Sequence, residues 1–150
     1  MAVVSIQFIS LRKLNEEVML IYESEQKFEL WDYMDGHRVL VLRGESDIPD
    51  TFKYIEIEFL DVFYLNIPTS LAGISVSKMS DIEIQKLRIG FHKKSVYNNF
   101  FIIQSGEKQF VVGAMSVSAY YTKAEGALSS IRQNINMSDL KIIASSVDIR

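Results

Sequence analysis

One unbroken run, Phe52 to Pro68 (FKYIEIEFLDVFYLNIP), constrains the fold more than any other part of this chain. Its alternate residues are Ile55, Ile57, Phe59, Asp61, Phe63, Leu65 and Ile67. A period of two is the pattern of a strand with one buried face. The run is about twice the length of an ordinary strand, and a single carboxylate, Asp61, breaks its apolar side at the middle. No turn-forming residue lies between Phe52 and Ile67. The expectation is therefore a bulge or sharp bend near Asp61 rather than a hairpin, because a bulge re-aims side chains and lets one strand serve two sheets. Pro68 ends the run, since proline cannot donate to a central ladder.

Flanking segments extend the β pattern. Val3 to Leu11, Glu17 to Glu23 and Lys27 to Met34 each read as a strand. Asp35-Gly36 and then His37 to Arg43 follow, and an Asp-Gly pair between two such runs signals a hairpin with positive φ at both turn residues. Val39, Leu40, Val41 and Leu42 are apolar on both faces, as in a central strand. Gly44 to Asp50 reads as a loop, Thr69 to Gly73 as a turn and Ile74 to Met79 as a short strand. Ser80 and Glu83 form a capping box ahead of a short helix carrying Ile84, Leu87 and Phe91. Asn98 to Gln104 and Gln109 to Tyr121 read as a second hairpin around a four-residue turn, Ser105 to Lys108. Thr122 to Glu125 is a second capping box, with Ala124, Ala127, Leu128, Ile131 and Ile135 marking an amphipathic helix. Leu140 to Val147 is the last strand. The expected architecture is a strand-rich α+β fold: mainly antiparallel sheet of seven to nine strands, arranged as a bent sheet, sandwich or roll, with one or two helices. Its 150 residues suit one domain, spanning 1–150.

Composition narrows the chemistry. The absence of cysteine excludes disulfides, thiolate metal sites and a cysteine nucleophile. The N-terminal residues lack the basic start and small-residue cleavage site of a signal peptide, and no run is long enough to span a bilayer. The expected location is the cytoplasm, with no membrane partner. Charge is unevenly divided. Residues 1–75 carry 6 Lys+Arg against 13 Asp+Glu, a net of -7, and residues 76–150 carry 10 against 6, a net of +4. Such asymmetry points to an acidic face, a basic face or both, but the favoured reading is that the two halves interleave in one domain and the charges mix.

No motif carries an evident reaction. His37 and His92 lack a second histidine at metal spacing, the glycines form no phosphate loop, and no G-x-S-x-G elbow is present. Neither a metal nor another cofactor is expected. Lys86, Arg88, His92, Lys93 and Lys94, with Phe91 and Tyr97, form a basic run, but on an acidic chain it reads as a wetted helix face and no nucleic acid is expected. Glu56 and Glu58 lie two apart on one strand face, about 7 Å in rise. Such a pair suits a hydrolytic site or a cation, although alternating glutamates usually mark a solvated face. If Asp61 is buried it needs Arg38 or Arg43 as partner; at a bend it hydrogen-bonds backbone instead. Trp31 and Tyr33 fall on the strand face that carries Glu29, and aromatics beside charges are common interface anchors.

The segment Phe59 to Gly73 (FLDVFYLNIPTSLAG), together with Trp31 ahead of the VLVLR strand and the FFIIQSGEKQFVVGA hairpin, resembles small bacterial proteins of unknown function. Some of these are similar to immunity proteins of toxin systems. The resemblance implies a bacterial domain with no catalytic residues to carry over. The combined expectation is a non-enzymatic protein-interaction domain whose partner is a protein or a second copy. Its candidate contact residues are Trp31, Tyr33, Glu56, Glu58 and Asp61. The alternative is a small-ligand-binding or hydrolytic domain using the strand carboxylates.

Overall fold

A computed structural model describes residues 18–87 and 99–147. The Val3–Leu11 strand and the basic run from Arg88 to Lys94 lie outside the described residues. The fold is dominated by nine strands: β1 (Val18–Met34), β2 (Val39–Glu45), β3 (Tyr54–Leu60), β4 (Tyr64–Asn66), β5 (Ser70–Met79), β6 (Asn99–Ser105), β7 (Lys108–Ala114), β8 (Ser116–Thr122) and β9 (Leu140–Ser145). Two short helices accompany them, α1 (Asp81–Leu87) and α2 (Ser130–Gln133). Among the described residues no helix is long and apolar enough to cross a membrane.

All nine strands belong to one antiparallel sheet, in the order β4-β7-β6-β5-β1-β2-β3-β8-β9. Three residues join β3 to β4 and Met115 alone joins β7 to β8, yet each joined pair is far apart in that order. The two continuous segments therefore run as one bent ribbon. It pairs Tyr54↔Thr122 through Leu60↔Ser116, then Tyr64↔Gly113 through Asn66↔Val111. Backbone bonds from Met115 N–H to the Leu60 carbonyl and from Phe63 N–H to the Gly113 carbonyl, both 2.9 Å, carry the ladder across the bend. Residues from strands far apart in that order meet in one core. Phe28, Leu42, Ile57, Val76, Phe101 and Val112 meet there, and the rings of Phe59 and Phe101 pack edge to face at 5.9 Å. A smaller cluster of Met79, Phe100, Ile102 and Val111 packs against Phe63, Tyr64 and Ile84 of α1.

The long run Phe52–Pro68 is two strands with a bend between them. Asp61 sits at that bend with φ 52°, in the left-handed region that Asp tolerates better than most residues. Its carboxylate pairs with Arg38, and the Arg38 carbonyl accepts the Val62 N–H at 2.8 Å. The β1–β2 turn is thus tied to the bend.

Several local expectations change. The two strands expected between residues 17 and 34 are one strand, β1, interrupted by register shifts at Leu20/Tyr22, Ser24/Lys27 and Leu30/Asp32. Gly73, at φ 81°, supplies an irregular position in β5 opposite the second of these, so the expected turn at 69–73 is mostly strand. The Asp35-Gly36 hairpin forms, but its loop has four residues, 35–38, and the left-handed position is Arg38. Gly36 is not at positive φ, and a Cβ there would meet nothing within 4 Å. Gly36→Ala is therefore expected to stabilise the fold by about 0.4–1 kcal/mol through the unfolded state. A two-residue turn with positive φ at Gly36 would give the opposite sign in a urea melt.

The expected helix from Thr122 reduces to one turn, α2. Thr122 ends β8, and its Oγ1 accepts the Ala124 N–H at 3.0 Å. The carbonyls of Gly126, Ala127 and Leu128 instead accept hydrogen bonds from Arg43 and Trp31 on the sheet. Turning those carbonyls sideways onto the sheet is incompatible with pointing them along a helix axis. Tertiary bonds have overridden helix propensity here.

Candidate functional site

The segment 123–135 lies across the outer face of β1, β2, β3 and β8, the one turned away from the main core. Register builds what lies beneath it. Arg43 and Glu56 are directly opposed between β2 and β3, and Glu56 and Tyr120 between β3 and β8. Directly opposed residues point to the same face, so the three side chains form a row.

Arg43 and Glu56 are both buried, at 3% and 0% exposure. Glu56 Oε2 accepts Arg43 Nε at 2.9 Å and Nη2 at 2.7 Å. Two further N–H donors of Arg43 reach the carbonyls of Gly126 and Leu128, each at 2.7 Å. Its guanidinium lies between two aromatic faces, 4.8 Å from the Trp31 ring centroid and 4.5 Å from that of Tyr54. Glu56 Oε1 accepts the Ser130 N–H at 3.1 Å and lies 3.2 Å from the Tyr120 hydroxyl. The side chains of Thr122 and Ser130 are hydrogen-bonded at 2.7 Å beside them. Outside this centre, Asp32 accepts from Ser129 Oγ and from Arg132 Nη2 at 2.7 and 2.8 Å. The Arg132 hydrogen bond holds the Asp32 carboxyl below the usual carboxylate range.

Glu58 is in a different position. It is half-buried, and its Oε2 accepts the Tyr120 hydroxyl at 2.9 Å. It lines a cavity of about 360 Å³ with Ser118, Tyr120, Ile131, Ile135 and Ile142 among its walls. Burial raises its pKa above the ordinary glutamate value and the charge of Glu56 adds to the rise, against a lowering from the Tyr120 hydrogen bond. Tyr120 is itself held far above the normal phenol range, by burial first and then by the two carboxylates. One phenolic proton faces two carboxylates. When Glu58 is protonated it can donate to the phenol oxygen and leave the phenolic proton for Glu56.

The raised pKa makes folding pH-dependent in a defined direction. The native state keeps the Glu58 proton at a pH where the unfolded chain, near 4.5, has lost it. Its contribution to stability is complete below the unfolded pKa and is lost as pH rises through the folded one. The stability difference between Glu58→Gln and the parent is expected to shift in favour of Gln as pH rises from about 4 to 7. Urea melts at a series of pH values measure it, and a difference that stays flat with pH would contradict the assignment.

The sequence-derived contact residues are thus dispersed. Trp31 is 37% exposed and stands at the β-bulge between Leu30 and Asp32, its Nε1 donating to the Ala127 carbonyl at 2.9 Å. The bulge inserts one residue and changes strand parity beyond it. Trp31 and Tyr33 therefore do not share a face: Glu29 opposes Arg43 on the outer face, whereas Tyr33 opposes the core residue Leu40. Tyr33, 38% exposed, is at the end of its strand. Glu56 is sealed inside the network, and Asp61 is at the bend 38–61, away from it. Glu56 and Glu58 share Tyr120, but the solvated glutamate face expected from their alternation is covered by residues 123–135. Sequence reasoning missed the Arg43–Glu56–Tyr120 row. A lone arginine closing the all-apolar run Val39–Leu42 was the available signal.

Among the described residues no group of three or more histidine, aspartate or glutamate side chains is placed to hold a metal ion. No family model, curated protein or solved structure matches this chain.

Proposed function

We propose that the chain is a non-enzymatic protein-interaction domain of a bacterial cytoplasm, of the immunity type that binds and neutralises a toxin, and that its partner docks on one acidic end of the curled sheet. The supporting observation is the placement of exposed carboxylates. Glu23 and Glu25 of β1, Glu45 at the end of β2, and Asp47 and Asp50 of the β2–β3 loop are all exposed. Pairing of Phe28 with Gly44 puts Glu45 beside this part of β1. Asp47 bridges to the far side: it accepts the Tyr121 hydroxyl at 2.7 Å, pushing that phenol up to about 12, and its charge also acts on Tyr22. The exposed cations nearby are Lys27, Lys53, Lys123, which lies over the Phe52 ring stacked on Tyr121, and Lys141, which opposes Tyr121 in the β8–β9 ladder; the five carboxylates outnumber them. A negative end of this kind steers a basic protein partner and repels nucleic-acid phosphate. The curled sheet is best viewed as a roll that presents this end as a rigid platform.

Catalysis has weaker support. A glycosidase-like mechanism needs two working carboxyls about a substrate, and here Glu56 is fully committed to Arg43 and Ser130 while Glu58 alone lines the cavity.

The test is cross-linking in the native host followed by affinity measurement on the protein recovered. The partner is expected to bind at about 50 mM salt, to weaken steeply by about 500 mM, and to lose roughly tenfold or more in affinity for a Glu23→Lys/Glu25→Lys/Glu45→Lys/Asp50→Lys variant. A partner held equally by that variant, or recovery of the chain alone, would overturn the proposal.

A further inference from the structure

The cavity beside Glu58 is separate from the acidic end and has its own chemistry. Its apolar walls are Ile131 and Ile135 from the segment containing α2, Met137 from the turn after it, and Leu140 and Ile142 at β9. Ile142 directly opposes Tyr120 in the β8–β9 ladder, so it shares the outer face with the buried network. The polar lining residues are Glu58, Ser118, Tyr120, Ser130 and Asn134. Glu58 presents its carboxylate with Oε2 held by Tyr120, while no hydrogen bond among the described residues engages Oε1. No ion pair among the described residues satisfies its charge either, in contrast to Glu56, whose charge is matched by Arg43. The volume of about 360 Å³ lies at the small end of the range for small-molecule sites.

We infer that this cavity binds an alkylammonium group, with the ammonium on Glu58 and the hydrocarbon between Ile131, Ile135, Met137 and Ile142. A half-buried carboxylate without a counter-ion costs free energy, and a cation with an apolar stem removes that cost while filling the apolar walls. A carboxylate ligand would meet Glu58 as a like charge. A neutral alcohol would fill the walls but leave the charge unmatched. The raised proton affinity of Glu58 is the expected behaviour of a carboxyl awaiting such a partner. The same chemistry is carried by a free amine and by a lysine side chain.

The probes are n-hexylamine, n-hexanol, hexanoate and Nα-acetyl-lysine methylamide, followed by two-dimensional NMR and calorimetry at neutral pH. Hexylammonium is expected to bind about tenfold or more tightly than hexanol, with shifts centred on Glu58, Ile131 and Ile142, and hexanoate not to bind. Glu58→Gln is expected to erase the advantage of hexylammonium over hexanol. Ile142→Trp, at a 44% exposed position where a larger side chain is tolerated, is expected to block both by filling the mouth. If the lysine derivative also binds, the natural occupant is a lysine side chain; if hexylammonium alone binds, it is a free amine. Equal affinity for hexylammonium and hexanol, an unchanged preference in Glu58→Gln, or no binding of hexylammonium would overturn the inference.

Discussion

Arg43→Met is expected to lower the stability of the fold by about 3–5 kcal/mol, the range for breaking a buried ion pair by removing one partner. The side chain is nearly isovolumetric in its stem and can still lie between Trp31 and Tyr54, so lost packing is a minor part of the change. What remains is a carboxylate, Glu56, at 0% exposure with its cation gone. The Gly126 carbonyl also loses its Arg43 donor, while that of Leu128 keeps Gln133 Nε2, and both lie nearer solvent. Glu56→Gln is expected to cost a similar amount, because the amide keeps the shape but has one acceptor oxygen for the donors of both Arg43 and Ser130, so its NH2 must face one of them, and the buried guanidinium loses its counter-charge. A combined Arg43→Met/Glu56→Leu variant should recover part of the loss, since two apolar groups replace a buried pair without leaving a lone charge. It should not recover all of it, as the Ser130 N–H then has no acceptor. Chemical denaturation of the four proteins gives the comparison. A single-variant loss below about 1 kcal/mol would place the pair among weak surface ion pairs.

The second large effect is expected at Gly44. This residue lies between Phe28 of β1 and Ile55 of β3, paired on both sides. A Cβ there would stand 2.6 Å from the Lys27 carbonyl oxygen and 3.1 Å from two atoms of the Phe28 ring. The close atom is backbone in the neighbouring strand, and neither neighbour can retreat without breaking ladder bonds. Gly44→Ala is therefore expected to destabilise by about 1–3 kcal/mol, the usual cost of overpacking. Gly113 offers an internal control. A Cβ there is equally close, 2.6 Å, but to a ring atom of Phe63, with Tyr64 Cβ at 3.0 Å; the nearest atom is side chain rather than backbone, and moving it costs packing against Phe100 and no ladder bond. Gly113→Ala should cost less than Gly44→Ala. Equal losses in thermal melts would mean that the Gly44 contact relaxes as easily as a side chain does.

These two sites mark the boundary between what the sequence expressed and what it concealed. An apolar run on both faces was sufficient to identify β2 as a central strand, and the one carboxylate interrupting a period of two placed a bend at Asp61, because both patterns are local properties of the chain. Among the described residues the nine strands and two short helices fall within the expected counts, the sheet is antiparallel throughout, and the fold is mostly β. Local pattern failed where a distant group changed the backbone's choice. Thr122 to Ile135 has the caps and spacing of a helix, yet Arg43 and Trp31 hold the carbonyls of residues 126–128 from across the sheet. Alternation also failed at Trp31, where a single bulged residue reverses which face follows. The two glutamates looked alike, two positions apart on one face. Their difference arises from a segment about 70 residues away in sequence that covers Glu56 and leaves Glu58 at the edge of a cavity. Nothing within FKYIEIEF distinguishes them.

The central claim is that Arg43 and Glu56 act as the clamp that holds residues 124–133 on the sheet, dividing a buried structural carboxylate from one that faces a cavity. Hydrogen exchange of the backbone amides in Arg43→Met, under native conditions and beside the parent protein, tests it most directly. Amides that exchange through local opening report that segment separately from the sheet. The account predicts that Ser130, whose N–H rests on Glu56, and Gln133 and Asn134 of the α2 turn lose protection first and by the largest factor, while the β3 and β8 ladder amides remain protected. Protection at 130–134 equal to that of the parent, or an equal loss at every site of the sheet, would contradict it.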